Sequence, residues 1–275
     1  MKLFIHIGYH KTGTTDLQKV IFPKLDGVNF IRRKNNKELF LKLFYQDIFS
    51  FDMNITGVDF QNCFDKSKIN LISTEELSGT PIFKYINNKN IVDKLYALFP
   101  GAKILLTIRN QYDHIISLYK SYNSVGGGIM SFKNYISYRN GKIKPSYLIT
   151  DRRINLEMFK FNNLINYYAE KFGKENMLIL LFEEFCRDKR KYLGKIFDFM
   201  GIKPDYDFDG IDTVVNKAYG ANQVAIARIV NGFLFSRFLR KALIIPLTSS
   251  SMRRLITPKI KRTLKKILTS PPSLT

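Results

Sequence analysis

Short apolar runs alternate with longer segments of helical periodicity along most of the chain. The short runs are rich in Ile, Leu, Val and Phe and predict buried strands at 3–7, 28–31, 69–73, 103–108 and 177–182. The segments between them predict helices at 14–22, 37–49, 91–99, 112–122, 156–172 and 189–200. This alternation predicts an α/β fold with a parallel β-sheet that is flanked by helices on both faces.

The C-terminal part departs from this rhythm. Residues 222–268 have a helical pattern that Pro246 and Pro258 interrupt, which predicts a helical C-terminal appendage. We therefore predict an α/β domain over 1–215 and a basic helical extension over 216–275. Residues 252–268 are basic and amphipathic enough to lie on an anionic membrane surface, but a helix packed on the domain explains the same pattern.

Composition narrows the class of protein. The net charge is +21, and no acidic residue follows Asp212, so we expect a polyanion, an anionic membrane or an acidic cofactor as partner, unless the basic surface is only solvated. Cys63 and Cys186 are too few for a disulfide framework or a zinc site, which predicts a cytoplasmic protein. We see neither a signal peptide nor an apolar run that spans a bilayer, so any membrane contact is expected to be peripheral, at the inner face.

The sequence HIGYHKTGTT, residues 6–15, follows the first predicted strand and opens the first predicted helix. Gly8, Gly13 and Thr15 match the glycines and the hydroxyl of the P-loop signature G-x-x-x-x-G-K-[ST], but Thr14 replaces its lysine. A lysine lies inside the loop instead, at Lys11. Because amides at a helix N-terminus attract negative charge, the loop predicts an anion site.

A second cation follows the strand at 103–108. Arg109 stands where many nucleoside triphosphatases have a magnesium-binding Asp, and its planar fork suits a phosphate. Ser117, eight residues later, is expected to return its hydroxyl to the same ligand. The ligand is therefore expected to carry anions at two places. A magnesium-dependent P-loop kinase or triphosphatase, and a non-catalytic basic module for membrane or polyanion binding, remain as alternatives.

Three segments together resemble a known family: HKTGTT, TIRNQYDHIISLYKSY and FGKENMLILLFEEFCRDKRKYLGKIFDFMGI. They resemble the sulfotransferases that use 3'-phosphoadenosine 5'-phosphosulfate (PAPS), whose fold is a P-loop-type parallel sheet with flanking helices. The resemblance implies a 5'-phosphosulfate loop made of Lys11, Thr12, Gly13, Thr14 and Thr15, and a 3'-phosphate site made of Arg109 and Ser117. It also places Lys217 on a basic segment that returns to the cofactor, and implies metal-independent transfer in which Lys11 stabilises the leaving phosphate.

Transfer to a hydroxyl also needs a base. Glu75 follows the strand at 69–73 and is the first candidate, since open parallel sheets bind ligands at the carboxyl ends of their strands, whereas Glu76 is expected to point elsewhere. His10 in the loop is the alternative. His6 is expected in the core, and His114 at the surface or behind the site. We predict a glycan or glycolipid as the acceptor, do not expect nucleic acid as a partner, and predict no metal site.

Overall fold

The computed structural model describes residues 2–81, 84–124, 128–148, 151–203 and 221–233. Its strands are β1 (Leu3–Gly8), β2 (Val28–Arg32), β3 (Ile69–Ser73), β4 (Lys103–Ile108), β5 (Tyr138–Arg139), β6 (Lys142–Ile143) and β7 (Met177–Leu181). Five of them form one parallel sheet in the order β2-β3-β1-β4-β7, and β5 and β6 lie outside it. The five predicted strands and their parallel arrangement are confirmed.

The α-helices are α1 (Thr14–Asp16), α2 (Lys37–Tyr45), α3 (Met53–Gln61), α4 (Asn88–Leu98), α5 (Gln111–Ser124), α6 (Phe132–Tyr135), α7 (Phe161–Phe172), α8 (Phe182–Arg187), α9 (Lys189–Met200) and α10 (Ala221–Phe233). Single turns of 3₁₀-helix occur at Phe22–Lys24, Glu75–Ser78, Leu156–Phe159 and Lys174–Asn176. Within the described ranges, every helix is too short or too polar to cross a bilayer.

Several predicted bounds were wrong. The helix predicted at 14–22 changes type after α1, because Leu17–Ile21 forms a π-helical segment before the 3₁₀ turn. The helix predicted at 37–49 ends at Tyr45, and α3, α6 and α8 were not predicted. The strand predicted at 177–182 stops one residue earlier, because Phe182 begins α8.

The three central strands, β1, β3 and β4, are buried on both faces, as is usual in a parallel sheet. On one face, Phe4, Leu71 and Leu105 join a cluster that also contains Leu17, Ile21, Phe22, Leu193, Ile196 and Phe197. Residues that alternate with these along the strands, such as Ile5 and Ile104, are also fully buried. Both sets of apolar side chains therefore hold the carboxyl ends of the strands in a fixed row.

The chain divides into two units, one of Met1–His114 with Ile143–Val215 and the other of Ile115–Lys142 with Asn216–Thr275. The first unit contains the sheet. In the second, Asn231 of α10 donates hydrogen bonds to the carbonyl oxygens of Asn123 and Gly128, at 2.8 and 2.9 Å. The domain boundary predicted at 215, the rest of the helical appendage after 233 and the membrane segment at 252–268 lie outside the described residues, so all three remain predictions.

Candidate active site

The predicted site residues gather at the carboxyl edge of the sheet, where β1 lies between β3 and β4. His6 pairs with Ser73 and Gly8 with Thr107, so the segments that follow these three strands are neighbours. The amide of Tyr9 donates to the carbonyl of Thr107 at 3.2 Å and ties the first loop residue to β4. The topology thus brings together the loop at 9–13, the turn after β3 and the start of the segment after β4.

The loop has a left-handed backbone at two positions. Lys11 has a φ of 71° and Gly13, at the N-terminus of α1, has a φ of 78°. A β-carbon on Gly13 would also lie 2.9 Å from the ring of Phe182, and one on Gly8 would lie 2.1 Å from the methyl group of Thr14. Alternation of right- and left-handed residues produces the concave arrangement of amides that binds anions, and the glycines allow its close packing.

Two side chains, one within the loop and one outside it, donate to carbonyl oxygens of the loop. The hydroxyl of Thr12 donates to the carbonyl of Tyr9 at 2.5 Å, and Nη1 of Arg109 donates to the carbonyl of Lys11 at 3.0 Å. Because the carbonyl and the amide of one trans peptide point in opposite directions, the amides of His10 and Thr12 are turned away from these donors. Arg109 therefore connects the segment after β4 directly to the loop.

Lys11 lies near charged groups of both signs, Glu75 and Arg109. The protein around the side chain removes part of its hydration, which lowers its pKa, while Glu75 raises this pKa and Arg109 lowers it. Lys11, taken as a whole residue, is nevertheless exposed to solvent. A cation that keeps this access beside a concave backbone is available to a ligand.

The two neighbouring glutamates have different partners. Oε2 of Glu75 accepts a hydrogen bond from the hydroxyl of Thr14 at 3.1 Å, so it contacts the first residue of α1. Glu76 instead forms an ion pair with Arg33 and accepts a hydrogen bond from Thr74. Glu76 therefore points to other partners than Glu75 does, as expected from the sequence.

The three histidines are all held in surroundings that disfavour their charged form. His6 is fully buried, shares a 2.7 Å hydrogen bond with Ser73, and burial lowers its pKa to about 3, which confirms its place in the core. Burial, followed by the charges of His114, Lys11 and Arg33, lowers the pKa of His10 to about 3. Nδ1 of His10 lies 3.4 Å from the hydroxyl of Tyr85.

His114 does not lie at the surface, so that part of its prediction was wrong. Its side chain is fully buried among the rings of Tyr9, Phe159 and Phe161, which are all distant from His114 in the sequence. The alternative that it lies behind the loop agrees with its contact to Tyr9.

An open cavity of about 360 Å³ lies beside Arg109 and is lined by Arg109, Asp113, Phe182, Glu183, Cys186 and Arg187. The guanidinium of Arg109 lies over the ring of Phe182, 4.8 Å from its centroid, and the Nε of Arg109 has no hydrogen-bond partner among the described residues. Phe182 and Arg187 were missed in the sequence. Both residues follow β7, which lies beside β4 and ends at the same edge of the sheet. Knowledge of this strand order would have identified them as site candidates.

Three predicted site residues remain, Thr15, Ser117 and Lys217. Thr15 continues α1 directly after Thr14. Ser117 lies on α5 in the second unit, and its side chain is buried. Lys217 lies outside the described residues. Within the described ranges, no group of three or more His, Cys, Asp or Glu side chains is arranged to hold a metal ion.

The parallel sheet and the loop between β1 and α1 define a P-loop-type α/β fold, and the two cations at the edge of the sheet make this loop a candidate anion site. A model of the sulfotransferase domain family matches residues 2–222, and because this is most of the chain, the protein belongs to that family. It is therefore an enzyme of sulfonate transfer. No curated protein sequence matches significantly.

Solved structures agree with the fold. A sulfotransferase from Alicyclobacillus acidocaldarius superposes with a TM-score of 0.56 at 17% identity, over 78% of this chain and 87% of that chain. Weaker likenesses include mouse sulfotransferase SULT7A1 complexed with PAP (TM-score 0.42, 17% identity, 98% and 83% covered). A sulfotransferase domain from the curacin biosynthetic pathway gives a TM-score of 0.45 at 11% identity, with 94% and 98% covered. The likeness to the Alicyclobacillus acidocaldarius sulfotransferase is a likeness of fold.

Proposed function

We propose that the protein transfers a sulfonate group from PAPS to a hydroxyl acceptor without a metal ion. The observation that carries this proposal is the contact between Arg109 and the carbonyl of Lys11, which joins two cations at one concave loop. PAPS carries anions at both ends of a nucleoside and supplies an activated sulfonate. The loop suits its 5' end, and the cavity beside Arg109 suits the nucleoside with its 3'-phosphate.

The residues of the cavity fit such a ligand. Its volume of about 360 Å³ lies within the range of small-molecule sites. Phe182 offers a ring face for a base, and the guanidinium groups of Arg109 and Arg187 offer donors for a phosphate. Ser117 and Lys217 are retained as proposed ligands of the 3'-phosphate and the cofactor on the family resemblance alone.

Sulfonate transfer joins the acceptor oxygen to sulfur while the bond between sulfur and the bridging phosphate oxygen breaks. The chain must therefore take up one acceptor proton and stabilise new negative charge on the phosphate. Lys11 and the amides of Thr12, Gly13, Thr14 and Thr15 are the groups that stabilise this charge. Because Lys11 supplies a positive charge at that place, the proposed reaction needs no metal ion.

Glu75 is the base that we propose, because its carboxylate lies beside the loop and contacts Thr14. His10 is the poorer candidate. A pKa of about 3 leaves its ring neutral at physiological pH but with little tendency to take a proton from a hydroxyl. Glu75→Gln should therefore lower transfer strongly, whereas Glu76→Gln, one residue away, should leave the chemistry intact.

Ligand-dependent unfolding tests the proposed donor. Adenosine 3',5'-bisphosphate at about a hundredfold excess over its dissociation constant should stabilise the protein by about 2.7 kcal/mol, equally with magnesium or with a chelator. ATP should stabilise it less under both conditions. Stabilisation by ATP only in the presence of magnesium would instead favour a P-loop kinase or triphosphatase.

For the acceptor, we propose a glycan or glycolipid hydroxyl, reached by a cytoplasmic enzyme at the inner face of the membrane. The uneven positive charge supports this, since no acidic residue follows Asp212. A chain that lacks residues 252–275 should sediment less with vesicles of anionic lipid than the full chain does. Equal sedimentation of the two chains would remove the membrane part of the proposal, and transfer assays with glycans and glycolipids test the acceptor separately.

A further inference from the structure

His114 is a buried polar side chain without an obvious structural task. Neither ring nitrogen makes a hydrogen bond of normal geometry among the described residues, although the side chain is fully buried. Such groups are rare because a buried donor or acceptor without a partner destabilises the folded state, and their retention calls for an explanation. A phenyl ring would fill the same space between Tyr9, Phe159 and Phe161 at lower cost.

The backbone of His10 is the polar group that acts on this ring. Burial lowers the pKa of His114 to about 4, the backbone of His10 raises it, and Arg109 lowers it. A group that favours the proton on an imidazole is an acceptor, so the His10 group is its carbonyl oxygen. The imidazole and this carbonyl therefore lie close together without a well-formed hydrogen bond.

This carbonyl lies between two others that are already held. Thr12 donates to the carbonyl of Tyr9, and Arg109 donates to the carbonyl of Lys11. A hydrogen bond from His114 to the carbonyl of His10 would give each of these three consecutive carbonyls a donor. Holding the His10 carbonyl turns the amide of Lys11 the other way, because both belong to one trans peptide. The next residue is the left-handed Lys11, where the concave backbone begins.

We propose that His114 is a positioning residue, whose ring N–H donates to the carbonyl of His10 when an anion occupies the loop and thereby directs the amide of Lys11 toward that anion. The ring touches the loop from behind and not the ligand. This inference rests on the proposed function only in taking the anion to be the 5' end of a phosphorylated nucleotide.

The test separates anion binding from stability. His114→Phe keeps an aromatic ring but has no donor, while His114→Asn and His114→Gln each place an amide N–H near one of the two ring nitrogens. Without ligand, His114→Phe should unfold at the wild-type temperature or above it. Its affinity for adenosine 3',5'-bisphosphate should fall by about tenfold, the value of one hydrogen bond, and one of the two amide variants should recover most of this loss.

Inorganic pyrophosphate serves as a second probe, because it needs the loop but no nucleoside site. Wild-type binding of pyrophosphate but not of the bisphosphate would reject the proposed donor, and the same loss in His114→Phe would still support the role of His114. Equal affinity of wild type and His114→Phe for both probes overturns the proposal. The proposal is also overturned if neither amide variant recovers the affinity that His114→Phe loses, or if the wild-type protein binds neither probe.

Discussion

Lys11 and Lys94 both carry a positive charge into surroundings that lower their pKa, but their neighbours differ. Nζ of Lys94 is buried at the C-terminal end of α2 and donates to the carbonyls of Leu43 and Gln46, at 3.2 and 2.5 Å. Because the last carbonyls of a helix have no partner within the helix, the cation stabilises the C-terminal end of α2. Lys11 lies on a left-handed loop, open to solvent, with Glu75 as the group that raises its pKa. The number of fixed carbonyl partners thus separates a structural lysine from one that is available to a ligand.

The largest expected effect is the loss of transfer in Lys11→Ala. Removing one group that stabilises developing charge should lower the rate at saturating donor about 10²- to 10³-fold. The free energy of unfolding should change little, because the side chain is accessible. Steady-state transfer assays measure the rate, and urea unfolding measures the free energy of unfolding. A variant that keeps the wild-type rate would mean that the loop lysine has no part in the chemistry.

Lys94→Met should show the opposite pattern. The methionine fills similar space but leaves the carbonyls of Leu43 and Gln46 without their donor, which should lower the free energy of unfolding by about 1–3 kcal/mol. Transfer by the folded enzyme should stay at the wild-type rate. Lys42→Met is the matched control, since its pair with Asp59 is about two-fifths exposed and, after solvent screening, should contribute less than about 1 kcal/mol. Equal losses in both variants would contradict the structural role of Lys94.

The loop backbone can be compared with a second left-handed glycine. Gly13→Ala meets both a positive φ and the ring of Phe182, whereas Gly201→Ala, at a φ of 69°, meets no atom within 4 Å. Gly201→Ala should cost about 1–2 kcal/mol from backbone strain, and Gly13→Ala somewhat more. Only Gly13→Ala should weaken binding of adenosine 3',5'-bisphosphate, as measured by the ligand-induced rise in unfolding temperature. Weaker binding in both variants would indicate a general loss of stability.

The smallest expected effect is a pH dependence of the free energy of unfolding that comes from His6. Unlike the two lysines, this buried side chain is neutral in the folded protein. The folded pKa of His6 is about 3, below its ordinary value of 6.5, so between these values only the unfolded chain takes up this proton. Stability should therefore fall as the pH drops below 6.5. From about pH 7 to about pH 5.5, His6→Asn should lose about 1 kcal/mol less than the wild type does. Urea unfolding at both values measures this, and parallel losses would show that His6 also charges in the folded state.

The sequence predicted the sheet well because its strands are short, continuous apolar runs. It missed α3 because the residues of Met53–Gln61 include a glycine and β-branched side chains and have no clear apolar stripe. It missed α8 because the apolar run of β7 continues into Phe182, the first residue of that helix.

The candidate site was predictable where one segment carried the signal. The loop of residues 8–15 was found from its glycines, and Glu75 from its place after β3. The bond from Arg109 to the Lys11 carbonyl was not predicted, since it joins residues 98 positions apart through the order of the strands. The burial of His114 was missed for the same reason, because the rings that enclose it come from two segments that are distant from it in the sequence.

The left-handed backbone of Lys11 also bears on how this loop would change under selection. A side chain at that φ costs about 1–2 kcal/mol, which glycine would avoid. A library selected only for resistance to heat should therefore enrich glycine at this position, and the enriched variants should be the ones that lose transfer. At this position the residue that gives the higher thermal stability, glycine, and the residue that gives activity, lysine, are therefore different.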